Sequence, residues 1–414
     1  MRLEEVKEIL EKYGQEHLLL SYDRLNESGK QDLIKQIENI NFEECKNLYE
    51  LTKHKKSFED VTLEPLKVTD ASKLNDDEIK EITRKGEKII KEGKYAVVMM
   101  AGGQGTRLGH SGPKGTFDFG LESHKTIFEI FVDKFKEARD ILGVTIPWYI
   151  MTSRDNNKQT IEFFEKNNYF GYKEGIKKFF IQKELPMMDE EGKLIIDENG
   201  LVKEAANGHG GVYEALVENG VLDEMKQAGI EWIFICGVDN VLAKLVDPVL
   251  LGYSAINNYK ITSVSCIKAE PQEKVGVLCK KNGRPSVVEY TELPDDLKEA
   301  LNEDGELKYG EAHILMNLFN VSIISDIAKN KLEYHVAHKK CDYMNEQGEM
   351  VKATAPNAYK FEALLFDAFE RLDEIGVIRY HREECFAPIK NAEGKDSPET
   401  ARDLYETYYD LKHH

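Results

Sequence analysis

Val97-Val98-Met99-Met100-Ala101-Gly102-Gly103-Gln104-Gly105-Thr106-Arg107-Leu108-Gly109, continued by Pro113-Lys114-Gly115, runs from an unbroken apolar segment straight into a glycine-rich loop carrying two cations. Glycine lets a ligand approach the backbone closely, and converging N–H groups attract anions, so the stretch suits a polyphosphate flanked by Arg107 and Lys114. Two commoner loops fail on spacing. The glycines at 103, 105 and 109 miss the dinucleotide pattern, because Leu108 stands where its third glycine belongs. The phosphate loop of ATPases fails because Lys114 follows Pro113 and Gly115 replaces the required Ser or Thr. A plain strand-to-helix turn would also use small residues, but it has no need of the cations.

Outward from this loop, short apolar runs alternate with helical patterns: Ala96–Ala101, Trp148–Met151, Lys178–Ile181, Trp232–Val238 and Ile261–Ile267. Strands apolar on both faces and separated by helices predict an α/β fold with a mainly parallel sheet. In such sheets ligands gather at the carboxyl ends of the strands, and Gly102 and Asp239 both follow apolar runs. Beyond them, Val275–Cys279 and Ser286–Tyr290 alternate around Lys281-Asn282-Gly283, which predicts a hairpin. Ser397-Pro398 opens an amphipathic run to Leu411, which reads as a closing helix.

On the amino-terminal side, Val6, Ile9, Leu10 and Tyr13, then Leu33, Ile34, Ile37 and Ile40, recur at helical spacing. Thr52 to Leu66 reads as a connector, and Asp76-Asp77-Glu78 starts a further helix with acidic residues at its positive end. Three regions are therefore expected: a helical part over 1–95, a catalytic domain over 96–380 and a C-terminal region over 381–414.

The chain has 414 residues, 41% of them hydrophobic, which is enough for a large core. No apolar run reaches the roughly 20 residues needed to span a bilayer, and the amino terminus lacks a secretion signal, so a cytoplasmic protein is expected. The six cysteines lie far apart with no C-x-x-C pair, which argues against both a disulfide framework and a zinc site. A formal charge of −19 repels nucleic acid. A small anionic ligand held in a local cationic pocket fits better.

The loop resembles the signature of the UDP-sugar pyrophosphorylases, nucleotidyltransferases that make UDP-sugars from UTP and a sugar 1-phosphate. Its Gly-Gln-Gly-Thr-Arg-Leu-Gly form is most similar to the UDP-N-acetylglucosamine branch. The likeness continues in the family's order through Gln182, Gly208-His209-Gly210-Gly211, Val238-Asp239-Asn240, Val288-Glu289-Tyr290, Lys360 and Phe386-Ala387-Pro388-Ile389-Lys390-Asn391. It implies a Rossmann-like, mainly parallel mixed sheet flanked by helices, with Mg²⁺ as cofactor. The implied substrates are UTP and a hexose 1-phosphate, with no nucleic-acid or membrane partner, in a monomer or weak homo-oligomer.

Nucleotidyl transfer drives a sugar-phosphate oxygen onto the α-phosphorus of UTP while pyrophosphate leaves in line, so the protein must supply cations and orientation. By resemblance, Arg107, Lys114 and Lys360 serve the reacting phosphates, and Lys390 also contacts phosphate. Ala101, Gly102, Gly103, Gly105, Thr106, Gln182, Gly208 and Gly210 would bind the nucleotide. His209, Gly276, Glu289 and His313 would meet the sugar, and Asp239 would hold the metal. Each has a plainer reading. Asp239 could cap a turn with Asn240, Gln182 could be a solvated strand residue, and His313 could start a helix. Glu289 could face outward, Lys360 and Lys390 could be cations lying over apolar surface, and Arg107 and Lys114 could be surface charges.

Two departures touch the sugar. The N-acetylglucosamine branch usually carries Asn where this chain has His209, and Gly-Asn where it has Gly310-Glu311-Ala312-His313. UDP-glucose or broad UDP-sugar synthesis is thus a rival to UDP-N-acetylglucosamine synthesis. A catalytically inactive nucleotide-sugar sensor is a rival of another class.

Overall fold

A strand with no exposed side chain needs neighbours on both edges and a covering layer on both faces. In the computed structural model, which describes residues 2–53 and 61–413, Tyr95–Met100 (β1) occupies such a place with every residue buried. Trp148–Thr152 (β2) runs parallel to it on one edge, with Ile176–Ile181 (β3) parallel beyond. Trp232–Gly237 (β4) runs parallel on the other edge, bringing Met100 level with Gly237. Ile261–Ile267 (β5) belongs to the same sheet, and the five apolar runs read from the sequence are all strands of it.

Val277–Lys281 (β6) and Arg284–Val288 (β7) form the expected hairpin. Asn282 and Gly283 turn it with φ of 52° and 77°, as a two-residue turn with both positions left-handed requires. Glu311–Asn320 (β8) is a strand that the apolar runs did not announce. It lies between β4 and β5, antiparallel to both, so the sheet is mixed. Gly376–Arg379 (β9) pairs parallel with β5, and Thr69–Asp70 pairs with β9. The strand order is Thr69–Asp70, β9, β5, β8, β4, β1, β2, β3.

The flanking helices begin where the sequence places caps. Asn75 and Glu78 form a capping box on Asp76–Lys91 (α1), and Thr126 and Glu129 do the same on Ile127–Leu142 (α2). Asp247 caps Pro248–Ile256 (α3), whose proline sits at the first helical position. Pro398–His413 (α4) is the closing helix, with the Thr400 N–H donating to Ser397 Oγ at 3.3 Å. All six cysteines are buried and without disulfides, as expected of small core residues. Among the described residues no helix is long and apolar enough to cross a membrane.

The chain's contacts gather into two compact units rather than the three expected regions. The first takes residues 2–53, 183–211 and 332–364, and the second the rest of the described residues. Helix 76–91 thus belongs with the sheet, although it falls within the expected 1–95 region, while parts of the expected 96–380 domain join the amino-terminal helices. In the first unit Leu3–Tyr13, Glu27–Asn39 and Phe42–Thr52 are helical, and Val6, Leu10, Leu33, Ile37 and Phe42 share a core with Met188 and Phe361. Its strands Tyr334–Lys339 and Ala358–Ala363 pair antiparallel. Of the expected Thr52–Leu66 connector, residues 54–60 lie outside the described residues, and Leu63–Pro65 pairs with β6.

In the second unit α1 crosses α3 at Gly86 and Gly252. A Cβ on Gly252 would overlap the Ile82 carbonyl, and one on Gly86 the Pro248 carbonyl. Backbone atoms give way little, so Gly252→Ala is expected to destabilise the fold by about 3 kcal/mol through overpacking. Denaturant unfolding checks this, and a loss under about 0.5 kcal/mol, the usual scatter of a neutral substitution, would show that the helices can separate at no cost.

Candidate active site

The glycine-rich loop leaves the carboxyl end of β1, and the turn bearing Asp239 leaves the carboxyl end of β4 beside it. Their departure is tied by the Val238 N–H donating to the Met100 carbonyl at 3.1 Å. The loop closes on itself through Gly105 N–H to the Gly112 carbonyl at 2.9 Å and Lys114 N–H to the Gly103 carbonyl at 3.1 Å. Packing or backbone angle accounts for most of its glycines. Gly105 lies against the His110 ring, Gly115 lies under Phe128, and Gly109 has φ of 71°. Gly103 has neither a left-handed backbone nor a neighbour within 4 Å of a Cβ position, so open space adjoins it. Among the described residues, the N–H groups of Gly102, Gly103, Gln104, Thr106 and Arg107 donate to no protein acceptor, which leaves them for a ligand.

A buried side chain orients these groups. Asn156, wholly buried just before helix Asn157–Lys166, donates from Nδ2 to the Ala101 carbonyl at 2.9 Å and the Gly103 carbonyl at 3.3 Å. Its Oδ1 accepts from Ser153 N–H at 2.9 Å. The loop's carbonyls are thus turned toward Asn156. The sequence reading missed this residue, whose only local signal is an asparagine at a helix start following an apolar strand.

Asp239 does not cap its turn. That role falls to Asn240, whose Oδ1 accepts from Leu242 N–H at 3.2 Å and from Ala387 N–H at 2.9 Å. Asn240 Nδ2 donates to the Cys385 carbonyl at 2.7 Å, and Ile389 N–H donates to the Asp239 carbonyl at 2.9 Å. The Phe386–Asn391 segment is stitched to the Asp239 turn in this way, which brings Lys390 to the site. Lys390 lies over the Phe386 ring at 5.3 Å, and Arg382 lies over the same ring at 4.9 Å. Lys134 of α2 props the turn further along, donating from Nζ to the Val241 and Ala243 carbonyls at 2.6 and 2.9 Å.

The cations and the carboxylate converge on Lys114. Burial lowers its ammonium pKa; attraction to Asp239 opposes this, while repulsion from Lys390 and Arg107 adds to it. Lys390 also lies 3.9 Å from Asp396 Oδ2, so Arg107 and Lys114 carry most of the cluster's uncompensated charge. In a chain of net charge −19 the cluster forms a local focus for an anion. Asp239 Oδ1 lies 2.7 Å from where a Cβ on Gly237 would stand, so a side chain there would displace the carboxylate.

Gln182 is buried, its backbone N–H donates to the Thr152 carbonyl at 2.8 Å, and its Oε1 lies 3.3 Å from the Cβ position of Gly102. The reading as a solvated strand residue is therefore corrected. Gly276, Glu289 and His313 also come together. His313 N–H donates to the Gly276 carbonyl at 2.9 Å, and Glu289 Oε1 lies 3.5 Å from the Cβ position of Gly276. His313 does not start a helix but sits within β8, nearly buried, with Nε2 donating to Asn317 Oδ1 at 3.2 Å.

Gly208, His209, Gly210 and Lys360 belong to the first unit. A Cβ on Gly208 or Gly210 would run into the Ala363 backbone, so chain packing by itself already demands both glycines. His209 opens the short helical turn His209–Gly211. Lys360 is on strand Ala358–Ala363, with Nζ 2.7 Å from Glu362 Oε1.

Comparison with known proteins places this geometry. The family model described as UTP–glucose-1-phosphate uridylyltransferase matches residues 40–405. UDP-N-acetylglucosamine pyrophosphorylase of Saccharomyces cerevisiae is 33% identical over 97% of this chain and 89% of its own. UDP-N-acetylglucosamine diphosphorylase 2 of Arabidopsis thaliana is 35% identical over 95% and 82%. The crystal structure of the uridine diphosphate N-acetylglucosamine pyrophosphorylase of Trypanosoma brucei, 29% identical, superposes with a TM-score of 0.79 over 95% of this chain and 82% of that one. With a family model spanning most of the sequence and relatives above 30% identity aligned along most of their own length, the chain belongs to the UTP–glucose-1-phosphate uridylyltransferase family of UDP-sugar pyrophosphorylases.

Proposed function

We propose that the chain transfers the uridylyl group of UTP to N-acetylglucosamine 1-phosphate, releasing pyrophosphate. The observation that carries this reading is the gathering of Arg107, Lys390 and Asp239 about the half-buried Lys114, at the carboxyl ends of β1 and β4. An oxygen of the sugar phosphate attacks the α-phosphorus of UTP, and the bond from that phosphorus to the bridging oxygen of the β-phosphate breaks. Arg107 and Lys114 neutralise charge growing on the departing pyrophosphate, while the N–H groups of Gly102, Gly103, Gln104 and Thr106 hold the phosphates in line. Gln182, with donor and acceptor on one amide, reads the uracil edge, and Gly276, Glu289 and His313 meet the sugar. Lys390 steadies phosphate, and Lys360, Gly208, His209 and Gly210 take the phosphate, base and sugar contacts that their matching motifs have in the family.

Asp239 is the residue that would hold magnesium. A single carboxylate among cations suits an ion that draws most of its ligands from phosphate oxygens and water. Among the described residues no three His, Cys, Asp or Glu side chains converge into a protein cage. When bound, the ion supplies positive charge shared between phosphate groups.

Measuring pyrophosphate release from UTP with each sugar phosphate tests the reading. N-acetylglucosamine 1-phosphate should give the higher kcat/KM, and a higher value for glucose 1-phosphate would reassign the substrate, in keeping with His209 in the glycine run. Arg107→Ala and Lys114→Ala are each expected to lower kcat by about 10²-fold, the usual cost of losing one group that stabilises developing charge. Near-normal kcat in both would remove them from the transition state. For Asp239→Ala the Mg²⁺ concentration giving half-maximal rate should rise at least about tenfold. An unmoved magnesium titration would place the ion elsewhere.

A further inference from the structure

In β8 one residue adopts a backbone that its side chain opposes. Leu315 has φ of 54°, a left-handed conformation that a leucine keeps only where its surroundings hold it. The ladder to β5 slips between Ser263 and Ser265 at this level, so the strand bulges. The bulge alters what the strand presents. Residues 311–314 and 316–319 are buried, whereas Leu315 between them is only half-buried.

The side chain is directed at the site. Leu315 Cδ2 lies 3.3 Å from the Cβ position of Gly237, and Asp239 Oδ1 lies 2.7 Å from that same position, so the two groups flank one bare patch of β4 backbone. Two residues before it the strand carries His313, whose N–H is bonded to the Gly276 carbonyl. Phe366 and Phe369 meet the His313 ring edge-on at 5.3 and 5.9 Å. Leu315 therefore flanks, across Gly237, the carboxylate assigned to the metal, and it stands two residues along the strand from His313 of the group assigned to the sugar. It sets an apolar branch beside the Asp239 carboxylate.

We infer that Leu315 is a specificity-determining residue, whose isobutyl group packs on the substituent at the sugar's 2-position. The inference rests on the proposed uridylyl transfer. An acetamido methyl gains contact with such a branch, whereas a bare hydroxyl is left facing a group that cannot hydrogen-bond it. Strain retained at a functional wall is consistent with this role, since glycine would relieve it at once.

Leu315→Gly and Leu315→Asn both suit a left-handed backbone, so the bulge survives in each while the apolar wall is lost. The readout is kcat/KM with N-acetylglucosamine 1-phosphate divided by kcat/KM with glucose 1-phosphate. In both variants the ratio should fall by about tenfold, the discrimination expected from one apolar contact, with the KM for UTP close to that of the unaltered protein. An equal loss on the two sugars, or a ratio held within twofold, would make Leu315 a packing residue and overturn the inference. If the unaltered protein fails to use N-acetylglucosamine 1-phosphate, the proposed function itself has failed, and that result appears before any variant is made.

Discussion

The parallel pairing of β1 with β4 is the constraint on which the site depends. Because Met100 is level with Gly237, the two chains leave the sheet together, and whatever follows them must share one edge. The glycine loop and the Asp239 turn have no close contact in sequence and owe their proximity to that register alone. Buried polar side chains then refine what the sheet only approximates. Asn156 rotates the loop's carbonyls inward, Lys134 supports the turn, and Asn240 ties it to the segment that delivers Lys390. Each donor and acceptor used in this way is matched, as buried polar groups must be if they are to rigidify a site.

The electrostatics follow from the same geometry. Lys114 is drawn out of water beside two further cations, with Asp239 as the carboxylate that offsets its own charge, an arrangement that desolvation and repulsion both oppose. The acidity of the chain as a whole makes the local excess of positive charge sharper. Such a cluster persists because the β-sheet core holds its members in place, and the polyphosphate proposed as substrate would resolve the imbalance. Open space beside Gly103 and undonated N–H groups at the loop give that anion somewhere to sit.

Much of this was legible in the residue pattern. Short, largely apolar runs marked β1 to β5, Asn-Gly marked the hairpin, and Ser-Pro marked the closing helix, because each signal is local. β8 escaped because its polarity is deceptive. Glu311, His313 and Asn317 break the apolar pattern, yet all are buried, and the charge of Glu311 is met by partners far away in sequence. Arg379, on β9, donates from Nε to Glu311 Oε1 at 2.9 Å, and Ser265 Oγ donates to Glu311 Oε2 at 2.7 Å. No window of sequence contains both halves of such pairs. The make-up of the first unit was hidden for the same reason, since its three stretches are far apart in the chain and its core forms only when they meet. Asn156 and Asn240 are ordinary asparagines until the carbonyls they meet are known.

The Asn240 clamp has a consequence for biosynthesis. Its partners Cys385 and Ala387 lie 145 and 147 residues downstream. Closing so long a loop late means that a nascent chain can build β1 to β5 while its cationic cluster still lacks Lys390. Completion of the cationic cluster is thus coupled to a contact made long after the strands on which it rests have left the ribosome.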